Sequence, residues 1–226
     1  MTECCVFDLT LTFDNGPEPD VTPRVLDTLR ERGIKATFFV IGEKLGDPAR
    51  HRLAARAHDE GHWIGNHTFT HSVPLGQQRD VETAQNEIGR TQAAIGDLAH
   101  PQRWFRPFGG GGNLDERLLK PSVVEYLTRN KHSCVLWNAI PRDWDDPDGW
   151  AERALEQCRS QPWSLMVLHD LPSGAMDHLE RFIDRAAKAG ARFHQDFPPD
   201  CVPIRSGEIV RSIEPYVSSI EEGTEE

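Results

Sequence analysis

The chain has 226 residues, enough for one α/β barrel or two small domains with a sizeable core. Its formal net charge is −11 and its 25 Lys and Arg residues are dispersed, so composition disfavours a nucleic acid or an anionic membrane as partner and favours a small or neutral substrate. A basic segment followed by an apolar run is lacking at the N-terminus, and no stretch approaches the roughly 20 apolar residues of a membrane span, which predicts a cytoplasmic location.

Apolar, β-rich runs alternate along the chain with helical patterns. The predicted strands cover residues 6–13, 36–41, 63–65, 103–105, 134–137, 165–168 and 191–193. The predicted helices lie near residues 22–32, 48–60, 78–98, 115–129, 149–159 and 176–189. About seven alternating units without a visible linker predict a single compact parallel barrel, imperfectly closed, with a doubly wound open sheet as the alternative. The acidic end, residues 214–226, is expected to be a solvated, frayed tail.

The five cysteines are scattered and have no CxxC spacing, so the sequence predicts free thiols rather than a disulfide or zinc framework. No role is expected for Cys4 and Cys5.

Most of the predicted strands run directly into polar or ionisable residues. Parallel barrels build their active sites at the carboxyl ends of their strands, so this pattern predicts an active site. The motifs are Asp14-Asn15-Gly16-Pro17, His67 to His71, Arg106-Pro107-Phe108-Gly109, Asp143-Trp144 and Leu168-His169-Asp170.

The spacing of His67 and His71 places two imidazoles on one face of a helical turn, where they can share a metal ion. Chance spacing among ten histidines is the alternative, but the position after a strand favours ligation. A catalytic metal usually has three protein ligands, and Asp14 and Asn15 are the candidates for the third. The same four residues, Asp14 to Pro17, also fit an ordinary turn.

Three segments together resemble the polysaccharide deacetylase family, also called the NodB-homology domain or carbohydrate esterase family 4. They are Thr12-Phe13-Asp14-Asn15-Gly16-Pro17, the strand Ala36-Thr37-Phe38-Phe39-Val40, and residues 61–71 with both histidines. The resemblance extends from about residue 6 to residue 213, which places the domain at 1–213 and the tail at 214–226. It implies a distorted (β/α) barrel that removes N-acetyl groups from amino sugars with zinc or another divalent ion, such as cobalt.

The resemblance also implies roles for individual residues. Asp14 would be the general base, oriented by Arg106, and His169 would protonate the leaving amine. The implied metal ligands are Asn15, His67 and His71, and the implied substrate-binding residues are Phe108, with a backbone N–H for the oxyanion, Trp144, Leu168 and Asp143.

These roles match the needs of amide hydrolysis, which are a deprotonated water, a charge sink for the oxyanion and an acid for a poor leaving group. An imidazole suits the acid role because its ordinary pKa near 6.5 lets it gain and lose a proton near neutrality.

Three features depart from the family pattern. Asn15 stands where most members have aspartate, and a neutral donor holds a dication more weakly than a carboxylate. Ile140 replaces the first of two aspartates, which leaves Asp143 to steady the arginine or tune the acid. The run Gly109 to Gly112 follows a short Arg-Pro-Phe motif and predicts either a mobile loop or a close backbone approach at the pocket rim.

The sequence therefore predicts a metal-dependent amide hydrolase that deacetylates an N-acetylated amino sugar or short glycan. The expected partner is a small molecule or an oligosaccharide, without nucleic acid or membrane. Two alternatives remain: a hydrolase of a formamide or ureide, and a degenerate, non-catalytic carbohydrate-binding barrel.

Overall fold

The computed structural model describes residues 6–219, whose strands curl into a barrel with helices on the outside. The parallel strands are β1 (Phe7–Asp14), β2 (Thr37–Val40), β3 (Trp63–Asn66), β4 (Trp104–Phe105), β5 (Ser133–Cys134), β6 (Trp163–His169) and β7 (Ala191–His194). The helices are α1 (Thr22–Glu31), α2 (Pro48–Asp59), α3 (Arg90–Ile95), α4 (Pro121–Arg129), α5 (Trp150–Arg159) and α6 (Leu179–Lys188).

The sheet runs in the order β6-β1-β2-β3-β4-β5, and β7 pairs with the first half of β1. Between β5 and β6 the described residues close the barrel by an isolated bridge in which Ala139 pairs with Met166. The prediction of a distorted barrel with about seven parallel strands is confirmed. A short antiparallel hairpin on β5, which was not predicted, adds β8 (Ile204–Arg205) and β9 (Glu208–Ile209).

The helix predicted near residues 78–98 starts later than expected. Asp80 ends the preceding loop by accepting a hydrogen bond from the backbone N–H of Glu82 at 2.8 Å. The helical segment begins at Thr83, passes into a π-helical stretch at Gln85–Gly89 and continues directly into α3. This local hydrogen bond holds residues 80–82 in a turn ahead of the helix.

An apolar cluster fills the barrel interior beneath the carboxyl ends of the strands, and we call it the floor cluster. Its rings pack tightly, with the centroids of Trp104 and Phe197 4.9 Å apart at an angle of 84°. The members are Phe39, Trp104, Val135, Leu165, Phe197, Cys201 and Val202. Trp63 and Trp104 begin their strands, so the cluster lies toward the amino ends of β3 and β4 and closes the barrel there.

Gly65 allows Phe39 of the floor cluster to lie flat against β3. A methyl group at Gly65 would lie 2.5 Å from Cδ1 of Phe39, whose ring is fully buried. We expect Gly65→Ala to lower the free energy of unfolding by about 1–3 kcal/mol, because the ring must move in a close-packed core. Urea unfolding measures this, with Gly46→Ala as control, since no atom lies within 4 Å of the added methyl group there. Equal losses in the two variants would contradict the packing argument.

The cysteines agree with the prediction of free thiols as far as they are described. Cys134, Cys158 and Cys201 are buried and unpaired, and burial raises their pKa values to about 12, 11 and 11. Cys4 and Cys5 lie outside the described residues.

The start of the predicted frayed tail is ordered instead. The backbone N–H of Leu119 donates to the carbonyl of Tyr216 at 3.0 Å, and that of Ser218 donates to Leu119 at 2.9 Å. Tyr216 and Val217 pack against a buried cluster, so apolar contacts continue past residue 213, and residues 220–226 lie outside the described part. Within residues 6–219, none of the helices combines the length and the apolar composition needed to cross a bilayer.

Candidate active site

Asp14 ends β1 with its side chain tied to Arg106. The guanidinium Nη1 donates to Asp14 Oδ1 at 2.8 Å and to the Thr12 hydroxyl at 2.6 Å. Arg106 is fully buried and lies 4.1 Å above the Phe39 ring, so the floor cluster supports the charged pair. Burial lowers the pKa of Arg106, while the Asp14 charge acts in the opposite direction. This direct hydrogen bond between Arg106 and Asp14 is consistent with the predicted orienting role of Arg106.

The second carboxylate oxygen of Asp14 lies free of the arginine. Asp14 Oδ2 stands 3.6 Å from His67 Nε2. His67 Nδ1 donates a hydrogen bond to the backbone carbonyl of Arg106 at 2.8 Å. The Nε2 lone pair of His67 is therefore available to a ligand, which is how metal-binding imidazoles are oriented.

His67 and His71 are brought together, but by a loop rather than by the helical turn that the spacing predicts. Thr68 and His71 have left-handed backbone angles, φ 65° and 52°. Glu87 shapes this loop by accepting from the backbone N–H groups of Phe69 and Thr70 at 2.8 and 2.9 Å. The imidazole centroids are still only 4.8 Å apart.

The donors at this position fit a divalent cation. Burial lowers the pKa values of His67 and His71 to about 3, so both rings are neutral, as ligands must be. Asn15 follows Asp14 with φ 74°, and its Oδ1 is buried without a hydrogen-bond partner. Among residues 6–219, no three His, Cys, Asp or Glu side chains are gathered as a metal site. Beside the two histidines, the cavity lining offers a carboxylate from Asp14 and an amide oxygen from Asn15.

His169 ends β6 and is held by Asp143 through two contacts. The ring Nδ1 donates to Asp143 Oδ1 at 2.8 Å, and the backbone N–H of His169 donates to Asp143 Oδ2 at 2.8 Å. Burial alone would lower the pKa of His169, but the hydrogen bond and charge of Asp143 raise it above its ordinary value. Nε2 is left to face a substrate.

Asp143 differs from its predicted role as a substrate-binding residue. It is fully buried behind His169 and does not line the cavity. Its carboxylate raises the pKa of His169. In the described structure the hydrogen-bond partners of Arg106 are Asp14, Thr12 and the carbonyls of Val135 and Leu136.

A cavity of about 190 Å³ opens between these groups. One side is polar, and the other is formed by apolar side chains and by glycine backbone. The lining residues are Asp14, Asn15, His67, His71, Pro107, Phe108, Gly109, Gly111, Gly112, Trp137, Ile140, Trp144, Val167 and His169. The Trp144 ring meets the His169 ring edge to face at 4.9 Å, and Phe108 packs on His71 at 3.9 Å.

Leu168 is a second predicted substrate-binding residue that does not line the cavity. It is fully buried in the main core, while Val167 lines the cavity in its place. Successive side chains of a strand point to opposite faces, so position 167 shares a face with His169 and position 168 does not. That alternation could have identified Val167 from the sequence.

The glycine run approaches the pocket wall closely. A methyl group at Gly112 would lie 2.7 Å from Ile140 Cδ1, and one at Gly109 would lie 2.5 Å from Trp137 Cη2. Trp137 Nε1 also donates to the Gly112 carbonyl at 3.1 Å. The sequence predicted either a mobile loop or a close backbone approach for Gly109 to Gly112, and these contacts support the close approach. Trp137, the last residue of the predicted strand 134–137, is a cavity residue that the sequence did not predict; in the structure it follows the end of β5 and lines the cavity.

The comparisons with known proteins agree with this geometry. The sequence pattern of the polysaccharide deacetylase family matches residues 7–121. A peptidoglycan-N-acetylglucosamine deacetylase of Bacillus cereus is 30% identical over 191 residues, which cover 82% of this chain and 66% of that protein. A chitooligosaccharide deacetylase of Rhizobium leguminosarum bv. phaseoli is 37% identical over 172 residues, covering 72% and 67%.

The chain thus spans about two thirds of the length of these curated relatives. A solved peptidoglycan N-acetylglucosamine deacetylase, in complex with a substituted benzamide, superposes with a TM-score of 0.69 at 28% identity. That match covers 89% of this chain and 91% of the other. With the site motifs at the ends of β1, β3, β4 and β6, these similarities show that the chain belongs to the polysaccharide deacetylase family.

Proposed function

We propose that the protein hydrolyses the amide bond of an N-acetylated amino sugar within a short glycan. One observation carries the proposal: a carboxylate and an imidazole on adjacent strands, Asp14 and His169, line one cavity. Asp14 and His169 are register partners in the parallel pairing of β1 with β6. Neighbouring strands lie about 4.8 Å apart, a separation that lets both groups reach one small reacting centre.

We propose further that the reaction depends on a divalent metal ion, zinc or cobalt, held by Asn15, His67 and His71. The support is the orphaned Asn15 oxygen and the two neutral imidazoles beside it. Such an ion, when bound, would supply an acidified water and polarise the carbonyl oxygen.

The protein groups divide the proton transfers between them. Asp14 Oδ1 accepts a hydrogen bond from Arg106. The other carboxylate oxygen, Oδ2, would therefore take the proton of the attacking water. Asp143 occupies Nδ1 of His169, so the proton given to the leaving nitrogen comes from Nε2. The backbone N–H of Phe108, a cavity-lining residue, would donate to the developing oxyanion.

The size of the cavity limits which part of a substrate it holds. A volume of about 190 Å³ equals about six waters at roughly 30 Å³ each. That space takes an acetyl group and the reacting edge of one sugar, with the methyl group against the apolar side chains of Trp137, Ile140 and Val167. The remainder of a glycan would lie across the mouth. The two curated relatives are named as deacetylases of glycans, which supports this substrate class.

The test is release of acetate and of formate from N-acetylated sugars, chitooligosaccharides and small amides, with zinc or cobalt added. We expect acetate from a glycan substrate and its loss in Asp14→Ala. Formate alone would favour the formamide hydrolase, and equal acetate release by the variant would show that Asp14 is not the base. No release of either acid by protein that binds the metal would favour the non-catalytic barrel.

Changing Asn15 to aspartate tests the proposed ligand set. We expect Asn15→Asp to bind zinc at least about tenfold more tightly, because a carboxylate replaces a neutral donor of the same shape. A tenfold gain in affinity corresponds to about 1.4 kcal/mol of binding free energy. Aspartate tolerates the left-handed backbone of this position as asparagine does. Competition with a chromophoric chelator measures the affinity. Asn130→Asp, which adds the same charge outside the cavity, is the control, and an equal gain in both variants would remove Asn15 from the ligand set.

A further inference from the structure

Asp170 is a buried carboxyl group that the mechanism above does not use. It follows His169 and is fully buried. Its Oδ2 accepts a hydrogen bond from the Thr22 hydroxyl, and its Oδ1 has no partner among the described residues. Burial raises the pKa of this carboxyl to about 7. A carboxyl group with one hydrogen bond in a dry site is costly, so its position calls for a reason beyond packing.

The carboxyl of Asp170 lies directly against Gly16. A methyl group at Gly16 would lie 2.2 Å from each of the two carboxyl oxygens. The φ angle of Gly16 is not in the left-handed range, so the carboxyl, and not the backbone, is what excludes a side chain there. Asp14 and His169 are the last residues of β1 and β6 and are register partners. The contact between Gly16 and Asp170 therefore lies just beyond the paired ends of these two strands.

Thr22 connects Asp170 to the far end of the same loop. It is the first residue of α1 and is 1% exposed. Its hydroxyl donates to Asp170 and accepts from the backbone N–H of Glu18 at 2.7 Å. Asp170 and Thr22 together therefore hold residues 16 and 18 of the loop that carries Asn15.

The other side of the loop is held independently. Arg50 donates to the carbonyl of Pro17 at 2.6 Å and pairs with Glu18 at 2.7 Å, and Lys44 also pairs with Glu18. Loss of Asp170 would leave these bonds in place and open space only beneath Gly16. The loop could then shift inward without unfolding.

We propose that Asp170 is a positioning residue that presses on Gly16 and so fixes the backbone of Asn15, and with it the place of the Asn15 amide oxygen relative to His67 and His71. This role rests on the proposed metal site. It adds a residue to that site which makes no contact with the ion, as outer groups around metal ligands commonly do.

The first test is zinc affinity of the full chain, with zinc alone as the probe. We expect Asp170→Ala to weaken zinc binding about 10- to 100-fold, the usual effect of losing an outer positioning group. Asp170→Asn keeps the shape and the bond from Thr22 and should stay close to wild type. Wild-type affinity in Asp170→Ala, or an equal loss in Asp170→Asn, would overturn the role.

A double-mutant cycle tests the contact itself. Gly16→Ala should weaken zinc binding in the wild-type background but add little in Asp170→Ala, because the obstacle is then absent. Additive losses would overturn the contact.

A second variant keeps the proposal testable if Asp170→Ala does not fold. Thr22→Val removes the hydroxyl that holds Asp170, and we expect it to weaken zinc binding and to change the visible spectrum of bound cobalt. Thr37→Val is the matched control, since this buried threonine hydroxyl has no partner in the described structure and lies at the start of β2. Equal effects in both variants would overturn the role.

Zinc binding and acetate release are separate readouts. Loss of zinc in Asp170→Ala supports the positioning role even if no glycan is cleaved. Failure of the wild-type protein to bind zinc would overturn both the metal site and this role.

Discussion

Replacing Arg106 with methionine should both destabilise the protein and abolish hydrolysis. The side chain is fully buried, and its loss leaves the Asp14 carboxylate buried without its partner. Breaking a buried ion pair in this way costs about 3–5 kcal/mol. Urea unfolding at neutral pH measures the loss, and acetate release measures the activity. Arg185→Met is the control, because the pair of Arg185 with Glu152 is solvent-exposed and its loss should matter little.

A double variant separates the two effects of Arg106. Removing both charges, in Arg106→Met with Asp14→Asn, should recover much of the stability but none of the activity, because no unpaired charge remains and no base remains. If the double variant were as unstable as Arg106→Met alone, the loss would come from packing on Phe39 rather than from the unpaired charge.

Replacing Asp143 with asparagine should slow hydrolysis about 10²- to 10⁴-fold at neutral pH, the range that general acid catalysis contributes. Burial alone would lower the pKa of His169, and Asp143 reverses this. Activity of the wild type should therefore persist until the pH rises through the raised pKa of His169. In the variant that pKa falls, so the alkaline limb of the profile moves to lower pH.

The pH profile of acetate release checks this prediction. Asp145→Asn is the control, since Asp145 is exposed and pairs with Arg142 rather than with His169. An unchanged alkaline limb in Asp143→Asn would show that His169 is not the acid or that another group sets its pKa.

The polar positions of the site could be predicted because they follow from order along the chain. Once β1, β3, β4 and β6 are parallel, Asp14, His67, Arg106 and His169 must meet at one edge of the barrel. What could not be predicted depends on contacts between distant segments. The sequence left open whether Asp143 steadies Arg106 or tunes His169, and the structure pairs Asp143 with His169, 26 residues later in the chain.

The errors in the fold have the same origin. Thr68 and His71 adopt left-handed angles because Glu87, from a later segment, binds the backbone between them. The hairpin of β8 and β9 is too short to show a periodic pattern. Residues 216–218 are ordered by pairing with Leu119, which their acidic surroundings do not reveal.

The floor cluster has a kinetic consequence. The Arg106 guanidinium lies over the Phe39 ring, and Trp104 and Phe197 pack below it, so packed side chains close the floor side of the cavity. The proposed hydrolysis makes two products, and both would leave through the mouth of the cavity. The fragment lying deeper can leave only after the outer one, which makes release ordered. The deeper product, which binds the free enzyme, should then compete with the substrate, whereas the outer one should not.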